Sequence, residues 1–358
     1  MSVLGNNAQT TRKALIAMSG GVDSSVAAKL VLDRGIDCEG CIMVLNGSEP
    51  LSDENEGVIS ARAVANRLGM KLHVMDFRDE FKTCVIEPFM EEYFMGHTPN
   101  PCIDCNKHLK FGKLYEEGKK LGCDFIVTGH YARIEKSGDK YLLKKAKDPM
   151  KDQSYVLYNL TQKQLAHTLF PLGEYEKPEI RAIAAENGFV NANQKDSQDI
   201  CFIPDGKYAS FIEDYTGKIC PQGDYVDLNG NVIGKHKGVI YYTVGQHKKL
   251  GMSFSQPMYV CKIDPQNNVV MLGRNEDLFT REVTHVGDFN WISGEAPSEP
   301  IRCKAKIRYR QIEQWATVFP TGENSVRILF DEPQRAVTPG QSAVLYDGDV
   351  ILGGGKIY

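Results

Sequence analysis

Two features of this 358-residue sequence have the residue types and spacing that chemistry requires. One is the run Ser19-Gly-Gly-Val-Asp-Ser-Ser25, and the other is a set of ten cysteines, four of which form two C-x-x-C pairs. Glycines let a backbone approach an anion closely, and thiols can pack, bind metals or act as nucleophiles. The sequence therefore predicts an anion-binding turn and leaves three roles open for the thiols.

The run Ser19–Ser25 follows an apolar segment, Ala14–Met18, and opens a helical one, Val26–Leu32. Backbone amides at the start of a helix, together with serine hydroxyls, supply donors for a phosphate group. The run lacks the lysine of G-x-x-x-x-G-K-[ST] loops, which favours cleavage at the α-phosphate and release of pyrophosphate. It indicates the ATP pyrophosphatase superfamily; the alternative is an ordinary strand-to-helix turn capped by Asp23.

The two cysteine pairs, Cys38/Cys41 and Cys102/Cys105, have the spacing of zinc ligands, so a four-cysteine zinc site is one alternative. Cys38 and Cys41 begin a predicted buried strand, where a cysteine usually packs as a small apolar residue. We therefore predict no metal site. Packing is also the interpretation for the cysteines with apolar or strand-like neighbours, which are Cys84, Cys123, Cys220, Cys261 and Cys303.

Cys105 has a more polar setting than these. Asn106 is expected to cap the helix that follows it, and three basic residues, Lys107, His108 and Lys110, place positive charge around the thiol. A helix N-terminus and nearby cations both favour the thiolate. The sequence therefore predicts a lowered pKa for Cys105 and a reactive sulfur.

The segments before Cys105 and Cys201 are loops of different kinds. Thr98–Pro101 is stiffened by two prolines into an extended loop, which is expected to be either mobile or substrate-facing. Cys201 follows a polar turn, Asp196–Ile200. Taken alone, the residues favour a buried structural thiol for Cys201 and do not show that it meets Cys105.

The first 130 residues alternate strand-like and helix-like segments, which predicts a parallel sheet wrapped by helices. Gly129 and His130 follow its last strand, at the carboxyl edge where open α/β folds bind ligands. A basic hairpin around Ser137–Asp139 and a helix at Lys177–Asn187 come next, before an expected domain end near Pro204. The predicted segments are Ala14–Met18, Ser24–Arg34, Cys38–Leu45, Val58–Leu68, Lys71–Phe77, Glu80–Tyr93, Leu109–Leu121 and Asp124–Thr128.

The remainder of the chain has many turn residues between short runs of Val, Ile, Tyr and Leu, which is typical of β structure. The predicted fold class is α/β, with a parallel-sheet nucleotide-binding domain followed by a small linker domain and a C-terminal β-barrel. We place the catalytic domain at 1–205, the linker domain at 206–276 and the barrel at 277–358.

The composition is that of a globular protein, with 42% hydrophobic and 25% charged residues. No segment approaches the roughly 20 apolar residues of a membrane span, and the polar start Met1–Lys13 has no secretory-signal core. We therefore expect a soluble, cytoplasmic protein with reduced thiols. A net charge of −4 means that a nucleic acid would be held by local basic patches.

One such patch is suggested by five basic residues at every second position, which in a strand would project from one face over roughly 26 Å. The alternative is a solvated barrel face. The lysines of the basic hairpin are a weaker case for RNA contact. The five residues are Arg302, Lys304, Lys306, Arg308 and Arg310, and the hairpin lysines are Lys140, Lys144, Lys145 and Lys147.

Seven blocks, read together, resemble the tRNA-specific 2-thiouridylase family, which makes 2-thiouridine at the wobble position of tRNA. The resemblance spans nearly the whole chain. It departs at Met43–Asn46, where the family often has Met-Lys-Asn-Trp, and at Gly245–His247, where Gly-Gln-Arg is usual. The blocks are Ser19–Ser24, Thr98–Asn106, Thr128–Tyr131, Lys151–Tyr155, Asp196–Phe202, Arg308–Gln311 and Thr338–Gln341.

The resemblance implies that ATP adenylates the uridine 2-oxygen, which then leaves as AMP when sulfur replaces it. Cys105 would be the nucleophile and Cys201 the persulfide carrier, with a transient disulfide between them that a reductant reopens. A donor protein would supply sulfur and Mg²⁺ would accompany ATP, with no permanent cofactor. The implied ATP-binding residues are Ala17, Met18, Ser19, Gly20, Gly21, Val22, Asp23, Ser24, Met43 and Gly129.

Two rival functions fit parts of the same sequence. An ATP pyrophosphatase that amidates or ligates a small molecule would need neither Cys105 nor Cys201, and a non-catalytic tRNA-binding protein would not need the intact run Ser19–Ser24. The family resemblance also implies a set of tRNA contacts, which neither rival explains together with the thiols. They are Asn100, Pro101, Cys102, His130, Lys151, Asp152, Gln153, Arg308, Tyr309 and Gln341.

Overall fold

A computed structural model describes residues 12–47, 56–192 and 199–358. Its first part is built on a parallel sheet with strand order β3-β2-β1-β4-β7, as the alternation of segments predicted. An antiparallel hairpin, β5–β6, follows β4 and leaves this sheet. The strands are β1 (Lys13–Ala17), β2 (Asp37–Val44), β3 (Leu72–Asp76), β4 (Phe125–Val127), β5 (Arg133–Ser137), β6 (Lys140–Lys144) and β7 (Thr168–Leu169).

Helices cover both faces of the sheet, and this is why its central strand is apolar on both sides. In β1, Leu15 and Ala17 belong to one hydrophobic cluster, whereas Ala14 and Ile16 belong to another on the opposite face. The α-helices are α1 (Val22–Leu32), α2 (Glu56–Arg67), α3 (Arg78–Phe81), α4 (Glu87–Phe94), α5 (Pro101–Asp104), α6 (Leu114–Lys120), α7 (Gln162–Ala166), α8 (Lys177–Glu186) and α9 (Tyr208–Thr216).

Two helical stretches continue through wider, π-helical turns. Lys82–Ile86 joins α3 to α4, and Cys105–Lys113 joins α5 to α6, so the second stretch is helical without a break from residue 101 to 120. Short 3₁₀ turns occur elsewhere. They span Ser154–Leu157, Pro171–Glu174, Val239–Tyr241 and Asn275–Leu278.

The rest of the chain is β-rich, as predicted. A four-stranded sheet of order β10-β11-β8-β9 comes first, and β12 to β17 then form a barrel in the order β12-β15-β14-β13-β16-β17 that closes because β12 also pairs with β17. The strands are β8 (Gly223–Val226), β9 (Val232–His236), β10 (Tyr259–Asp264), β11 (Val269–Gly273), β12 (Phe279–Trp291), β13 (Ile301–Lys306), β14 (Gln314–Gly322), β15 (Ser325–Arg335), β16 (Ser342–Asp347) and β17 (Val350–Ile357).

The predicted fold class is therefore confirmed, and the exact domain limits at 205/206 and 276/277 stay predictions. The hairpin β5–β6 extends the barrel sheet by pairing Lys144 with Val350 of β17. The first domain thus contributes two strands to the sheet of the last. No helix in the described ranges is long and apolar enough to cross a bilayer.

The strands correct one sequence interpretation, the basic stripe, and remove one alternative, the zinc site. Strand β13 ends at Lys306, so Arg308 and Arg310 lie in the turn that follows it and cannot share one strand face with the earlier basic residues. In β2, Cys38 and Cys41 lie in hydrophobic clusters on opposite faces of the sheet. They cannot bind one ion together, which removes the alternative of a four-cysteine zinc site.

Candidate active site

The turn after β1 is ordered by its own serines. The backbone N–H of Ser19 donates to Oγ of Ser24 over 3.1 Å, and the hydroxyl of Ser24 donates to the carbonyl of Gly21 over 3.1 Å. The hydroxyl of Ser25 donates to the same carbonyl over 3.0 Å. These bonds fold residues 18–21 over the start of α1, where the free amides of the first helical turn can meet an anion.

The loop after β4 approaches this turn very closely. A side chain at Gly129 would place its Cβ only 2.9 Å from the backbone nitrogen of Ser24. Only glycine allows this approach. Because β1 and β4 are neighbours while the chain leaves β1 towards β2, the two loops flank the switch point where ligands of open α/β sheets bind. Ala17 ends β1, and Met43 lies near the end of β2 at the same edge.

Sequence reasoning missed a lysine at this site. Nζ of Lys177 donates to Oδ1 and Oδ2 of Asp23 over 2.7 and 2.8 Å, and the hydroxyl of Tyr131 donates to Oδ1 over 2.8 Å. Lys177 is 8% exposed and lies over the ring of Tyr131, with Nζ 5.7 Å from its centroid. An ammonium group therefore stands beside the glycine-serine turn although the turn itself carries no lysine.

One sequence signal could have indicated Lys177. It is the first residue of α8, followed by Pro178, and Glu176 with Glu179 forms a capping box there. A lysine at a helix N-terminus opposes the helix dipole, and such a residue is better explained by a specific partner than by helix stability. Asn191, which was also missed, donates to the carbonyl of Gly20 over 2.7 Å.

The helix that carries Cys105 begins earlier than predicted. Oδ1 of Asn100 accepts from the N–H of Cys102 over 3.2 Å, which makes Asn100 the N-cap, and Pro101 follows at the first helical position. The prediction that Asn106 caps a helix is wrong, because its side chain is buried and donates to the carbonyl of Val156 over 2.9 Å. Cys105 therefore lies within a helix, one turn from its start.

The prediction of a lowered pKa for Cys105 is also wrong. Burial of this 8% exposed residue raises the pKa of its thiol to about 11, and only Lys110 among the neighbouring cations opposes that effect. Lys107 instead lowers the pKa of His108, in second place after burial. The reason is that basic residues at successive positions of a helix point in different directions, so they cannot all face one thiol.

Three thiols nevertheless share one electrostatic environment. Cys102 and Cys201 are exposed and Cys105 is buried, and none of the ten cysteines is in a disulfide. Although Cys201 is exposed as a residue, desolvation of its thiol by the surrounding protein raises the pKa. The charge of Cys102 raises this pKa further, and Lys110 lowers it. The charge of Cys201 likewise raises the pKa of Cys105, and Lys110 also acts on Cys102. Lys110 is thus a cation common to all three sulfurs.

Cys201 is held near Cys105 by the aromatic residue that follows it. Phe202 makes edge-to-face contacts with Phe81 and Phe89, at centroid distances of 5.4 and 5.5 Å, and packs against the hydrophobic cluster that contains Cys105. The interpretation of Cys201 as a buried structural thiol is therefore wrong. Residues 196–198 of its sequence block lie outside the described residues.

His130 lies next to the loop that packs on the turn after β1, and it is influenced by the same lysine as the thiols. It follows Gly129 directly, is 7% exposed, and its Nδ1 forms a 2.7 Å hydrogen bond with the hydroxyl of Thr128. Burial, assisted by Lys110, lowers the pKa of His130 well below its ordinary value, so the ring is neutral. Lys110 thus acts on His130, beside the anion-binding turn, as well as on the three thiols.

A loop of the barrel supports the extended segment before α5. The N–H of Thr98 donates to the carbonyl of Pro339 over 2.8 Å, and the side chain of Gln341 donates back to the carbonyl of Thr98 over 2.6 Å. The predicted extended loop is thus held from the far end of the chain. Asn100, Pro101 and Cys102 are presented at its end.

The other predicted RNA contacts cluster where the hairpin meets the barrel. The carboxylate of Asp152 accepts from Ala146 and Ser154, and Oε1 of Gln153 accepts from the N–H of Tyr131 over 2.9 Å. The hydroxyl of Tyr309 donates to the carbonyl of Asp152 over 3.1 Å. Arg308 binds the carbonyl of Arg335, and Lys151 is half-buried beside Asp152.

Most hairpin lysines have partners within the protein. Lys144 pairs with Glu135 at 2.9 Å and with Asp349 at 3.3 Å, and Lys145 pairs with Glu313. This supports the interpretation that these lysines are a weaker case for RNA contact.

Three family models match successive parts of this chain. Residues 12–205 match the family model described as tRNA methyl transferase HUP domain, 209–274 its PRC-barrel domain, and 281–357 the aminomethyltransferase beta-barrel domain. A solved complex of a 4-thiouridine synthetase with RNA and bound ATP is 20% identical, with a TM-score of 0.36, over 55% of this chain and 46% of that one.

Two full-length relatives are much more similar to this chain than that solved structure is. The tRNA-specific 2-thiouridylase of Clostridioides difficile (strain 630) is 49% identical, over 97% of this chain and 98% of the relative. That of Acetivibrio thermocellus is 46% identical, over 97% of this chain and 99% of the relative. With this identity over its whole length, the chain belongs to the tRNA-specific 2-thiouridylase family.

Proposed function

We propose that this protein replaces the 2-oxygen of the wobble uridine in tRNA with sulfur, at the cost of ATP. The observation that carries the proposal is a shared cation: Lys110 influences the pKa of His130, which follows the loop packed on the turn after β1, and also the pKa values of Cys105 and Cys201. A reaction that joins nucleotide activation to sulfur transfer requires both halves within reach of one base.

ATP is proposed to bind at the turn after β1. Its residues offer serine hydroxyls and helix amides to phosphates, and the close approach of Gly129 shapes the wall of the site. Lys177 adds the ammonium group that the turn lacks. The proposed contacts are those implied by the family resemblance: Ala17, Met18, Ser19, Gly20, Gly21, Val22, Asp23, Ser24, Met43 and Gly129.

Mg²⁺ is expected to accompany the triphosphate. Asp23 offers a carboxylate at the mouth of the turn, and carboxylate and phosphate oxygens are the ligands that Mg²⁺ prefers. Both oxygens of Asp23 are bound by Lys177 in this structure. The ion would neutralise phosphate charge at Asp23, beside the ammonium group of Lys177.

Activation of the uridine is needed because a carbonyl oxygen is a poor leaving group. The 2-oxygen attacks the α-phosphorus, and the bond to the β-phosphate breaks to release pyrophosphate. Sulfur then adds at C2, and the C2–O bond breaks to release AMP. The neutral His130, which cannot add positive charge beside Lys110, and the preformed turn hold the reacting groups in place.

Sulfur is proposed to arrive as a persulfide on the exposed Cys201, which a donor protein can reach. The thiolate of Cys105 attacks the inner sulfur of this persulfide, so the S–S bond breaks, a Cys105–Cys201 disulfide forms and hydrosulfide leaves towards C2. A dithiol reductant restores both thiols. These steps assign the buried thiol to an internal role and the exposed thiol to loading.

The tRNA is proposed to lie over the two clusters that converge beside the thiols. Asn100, Pro101 and Cys102 contact the target base, with His130 beneath them, and the polar group around Tyr309 contacts the backbone. Most base recognition by such a site uses unstacked, single-stranded nucleotides, as in an anticodon loop. The remaining proposed contacts are Lys151, Asp152, Gln153, Arg308 and Gln341.

The test is incubation of purified protein with unmodified tRNA, ATP, Mg²⁺ and a persulfide donor, followed by nucleoside analysis. We expect 2-thiouridine with the intact protein and a loss of at least about 100-fold with Cys105→Ser or Cys201→Ser. Cys303→Ser, which alters a buried barrel cysteine, is the matched control.

Pyrophosphate release separates the rival functions in the same reactions. The two variants should still release tRNA-dependent pyrophosphate, because activation precedes sulfur transfer. Normal 2-thiouridine in both variants would refute the sulfur-transfer mechanism. Pyrophosphate release without tRNA, with no thionucleoside, would favour a small-molecule ligase.

A further inference from the structure

The C-x-x-C pair at the start of the helix contains a thiol that the proposed reaction does not use. Cys102 is exposed in the first turn of α5, and Cys105 lies three residues later on the same helical stretch. Helix geometry separates the Cα atoms of residues i and i+3 by about 5 Å, which is within the range that a disulfide spans. These two cysteines can therefore be oxidised to a disulfide without unfolding the helix.

Cys102 also influences the second thiol of the proposed reaction, Cys201. The charge of Cys102 is the strongest of the charged influences on Cys201, and Lys110 acts on Cys102, Cys105 and Cys201 alike. Ile200 and Phe202, which flank Cys201, pack on the cluster that contains Cys105. The three thiols are thus near enough to influence one another's pKa, and two of the residues are exposed whereas Cys105 is buried.

The three sulfurs differ in their accessibility to a reductant, and this affects how the free thiols are restored after a turnover. Cys105 is 8% exposed and Cys201 is exposed, so an external reductant can attack a disulfide between them only at the sulfur of Cys201. As long as a Cys105–Cys201 disulfide persists, Cys201 cannot be loaded again. An internal thiol beside Cys105 would remove this block without waiting for the reductant.

We propose that Cys102 is a third reacting thiol, which attacks the sulfur of Cys105 and transfers the disulfide from Cys105–Cys201 to Cys102–Cys105. The inference rests on the proposed function. In this exchange the Cys102–Cys105 bond forms, the Cys105–Cys201 bond breaks, and the electron pair leaves on the sulfur of Cys201. No net oxidation occurs, and a dithiol reductant then reduces the new disulfide by attacking the exposed sulfur of Cys102.

An intramolecular thiol has an advantage over a dilute reductant. Its effective concentration is in the millimolar range or above, so exchange with Cys102 should outrun attack by about 0.1 mM dithiothreitol by tenfold or more. Cys201 is thereby released as a free thiol that the donor protein can load again, while Cys105 stays oxidised until the reductant acts. Cys102 would in this way couple the end of one turnover to the start of the next.

The tryptic peptides of this sequence suit a direct test. Residues 83–107 form one peptide that contains Cys84, Cys102 and Cys105, and residues 196–207 form another that contains only Cys201. Cys84→Ser removes the unrelated cysteine from the first peptide and serves as the parent protein. In this parent a Cys102–Cys105 disulfide appears as the loss of two hydrogens from one peptide, and a Cys105–Cys201 disulfide as two joined peptides.

The experiment is a single turnover of persulfide-loaded parent protein with tRNA, ATP and Mg²⁺ and without reductant, quenched with N-ethylmaleimide and mapped by mass spectrometry. We expect the Cys102–Cys105 disulfide and an alkylated Cys201. With Cys102→Ser added, we expect the joined Cys105–Cys201 peptides and no alkylated Cys201, because the disulfide then has no internal thiol to which it can be transferred.

The possible results separate the two proposals. Persistence of Cys105–Cys201 in the parent, or a Cys102–Cys201 disulfide, would overturn the role of Cys102 while the sulfur transfer stands. Absence of 2-thiouridine in the parent would instead refute the proposed function itself. Addition of a high dithiothreitol concentration to Cys102→Ser before the quench should replace the joined peptides with an alkylated Cys201, since external thiol then replaces the internal one.

Discussion

At the scale of single residues, Lys177 links the sheet edge to a chemical requirement of the proposed reaction. The glycine-serine turn has donors for phosphate but no cation, and Lys177 reaches it from a helix 154 positions further along the chain. Its ammonium group is bound to both oxygens of Asp23 and lies over Tyr131. A charge so placed is preorganised to act on developing phosphate charge.

We therefore expect Lys177→Met to lower the rate of tRNA-dependent pyrophosphate release by about 100-fold or more, as the loss of a preorganised donor does in other enzymes. The physical reason is the loss of the only lysine bound to Asp23 among the described residues. Single-turnover measurement of pyrophosphate at saturating ATP checks this, with separate titrations of ATP affinity.

Lys147→Met is the matched control, because Lys147 pairs at 3.5 Å with Glu179 of α8, the helix that carries Lys177. The Lys147→Met protein should release pyrophosphate at a nearly normal rate. A Lys177→Met protein that loses thermal stability but keeps its rate would show that the lysine only anchors α8. Partial recovery in Lys177→Arg, which keeps the charge in a larger group, would support the phosphate role.

Cys105 shows how residue chemistry depends on direction as well as composition. Three basic neighbours in sequence predicted a lowered pKa, yet burial raises it to about 11. Only Lys110 faces the sulfur. The thiolate fraction is therefore small near neutral pH, and the proximity of Cys201 must compensate for the scarcity of the reactive form.

At the scale of elements, the loop before α5 is positioned by a tight contact with the barrel. Gly340 has φ +86°, and a Cβ built there would lie 2.8 Å from the backbone nitrogen of Thr98. The same turn binds Thr98 through Pro339 and Gln341. The N-cap Asn100, and with it the start of the cysteine helix, is thus fixed by residues more than 200 positions away in sequence.

We expect Gly340→Ala to lower the free energy of unfolding of the barrel by about 2–4 kcal/mol, from positive φ and from steric overlap together. It should also reduce thiolation, because Asn100 and the helix start would be displaced. Thermal or denaturant unfolding, followed by the thiolation assay, measures both effects.

The matched control is Gly348→Ala in the turn between β16 and β17. Gly348 also has a positive φ, +59°, but a Cβ there would meet no atom within 4 Å. Gly348→Ala should lower the free energy of unfolding by about 1–2 kcal/mol, from backbone strain alone. Its thiolation activity should be retained. Equal losses of stability and activity in the two variants would contradict the proposed contact.

At the scale of the whole molecule, the first and last parts of the chain form one unit. The hairpin β5–β6 joins the barrel sheet, Arg133 pairs with Asp349 at 2.7 Å, and Lys356 of β17 pairs with Glu92 of α4. Burial alone would raise the pKa of Glu92, but hydrogen bonds from His97 and Lys356 outweigh it and lower it. This contact therefore stabilises the folded protein at pH values above the ordinary pKa of glutamate. The stabilisation is lost as the pH falls through the lowered pKa of Glu92.

The whole surface carries a net charge of −4, so tRNA binding should depend on a few local cations. Arg310 is exposed in the turn after β13. Arg302 is already neutralised by two hydrogen bonds to Asp331, one of 2.7 Å. The two arginines thus have the same charge but different availability to phosphate.

We expect Arg310→Ala to weaken tRNA binding several-fold and to reduce the slope of log K against log salt concentration by about 1, since one phosphate contact would be lost. Arg302→Ala should change the slope less. Fluorescence anisotropy of labelled tRNA over a range of salt concentrations measures both. Identical slopes for the wild type and Arg310→Ala would remove Arg310 from the interface.

The sequence by itself determined the features that depend on local pattern. The alternation of apolar segments indicated the parallel sheet, and turn-rich β segments indicated the barrel, because these patterns follow from local backbone geometry and from burial of one or both faces. The run Ser19–Ser25 indicated an anion site for the same reason. The seven blocks identified the family.

The tertiary structure decided which side chains meet. Lys177 reaches Asp23, Phe202 brings Cys201 to the cluster of Cys105, and Gln341 supports Thr98, and each of these pairs is joined by folding of distant segments. Burial likewise reversed the expected pKa shift of Cys105. Local spacing encodes elements and turns, whereas contacts between elements and the desolvation of a group depend on how the whole chain packs.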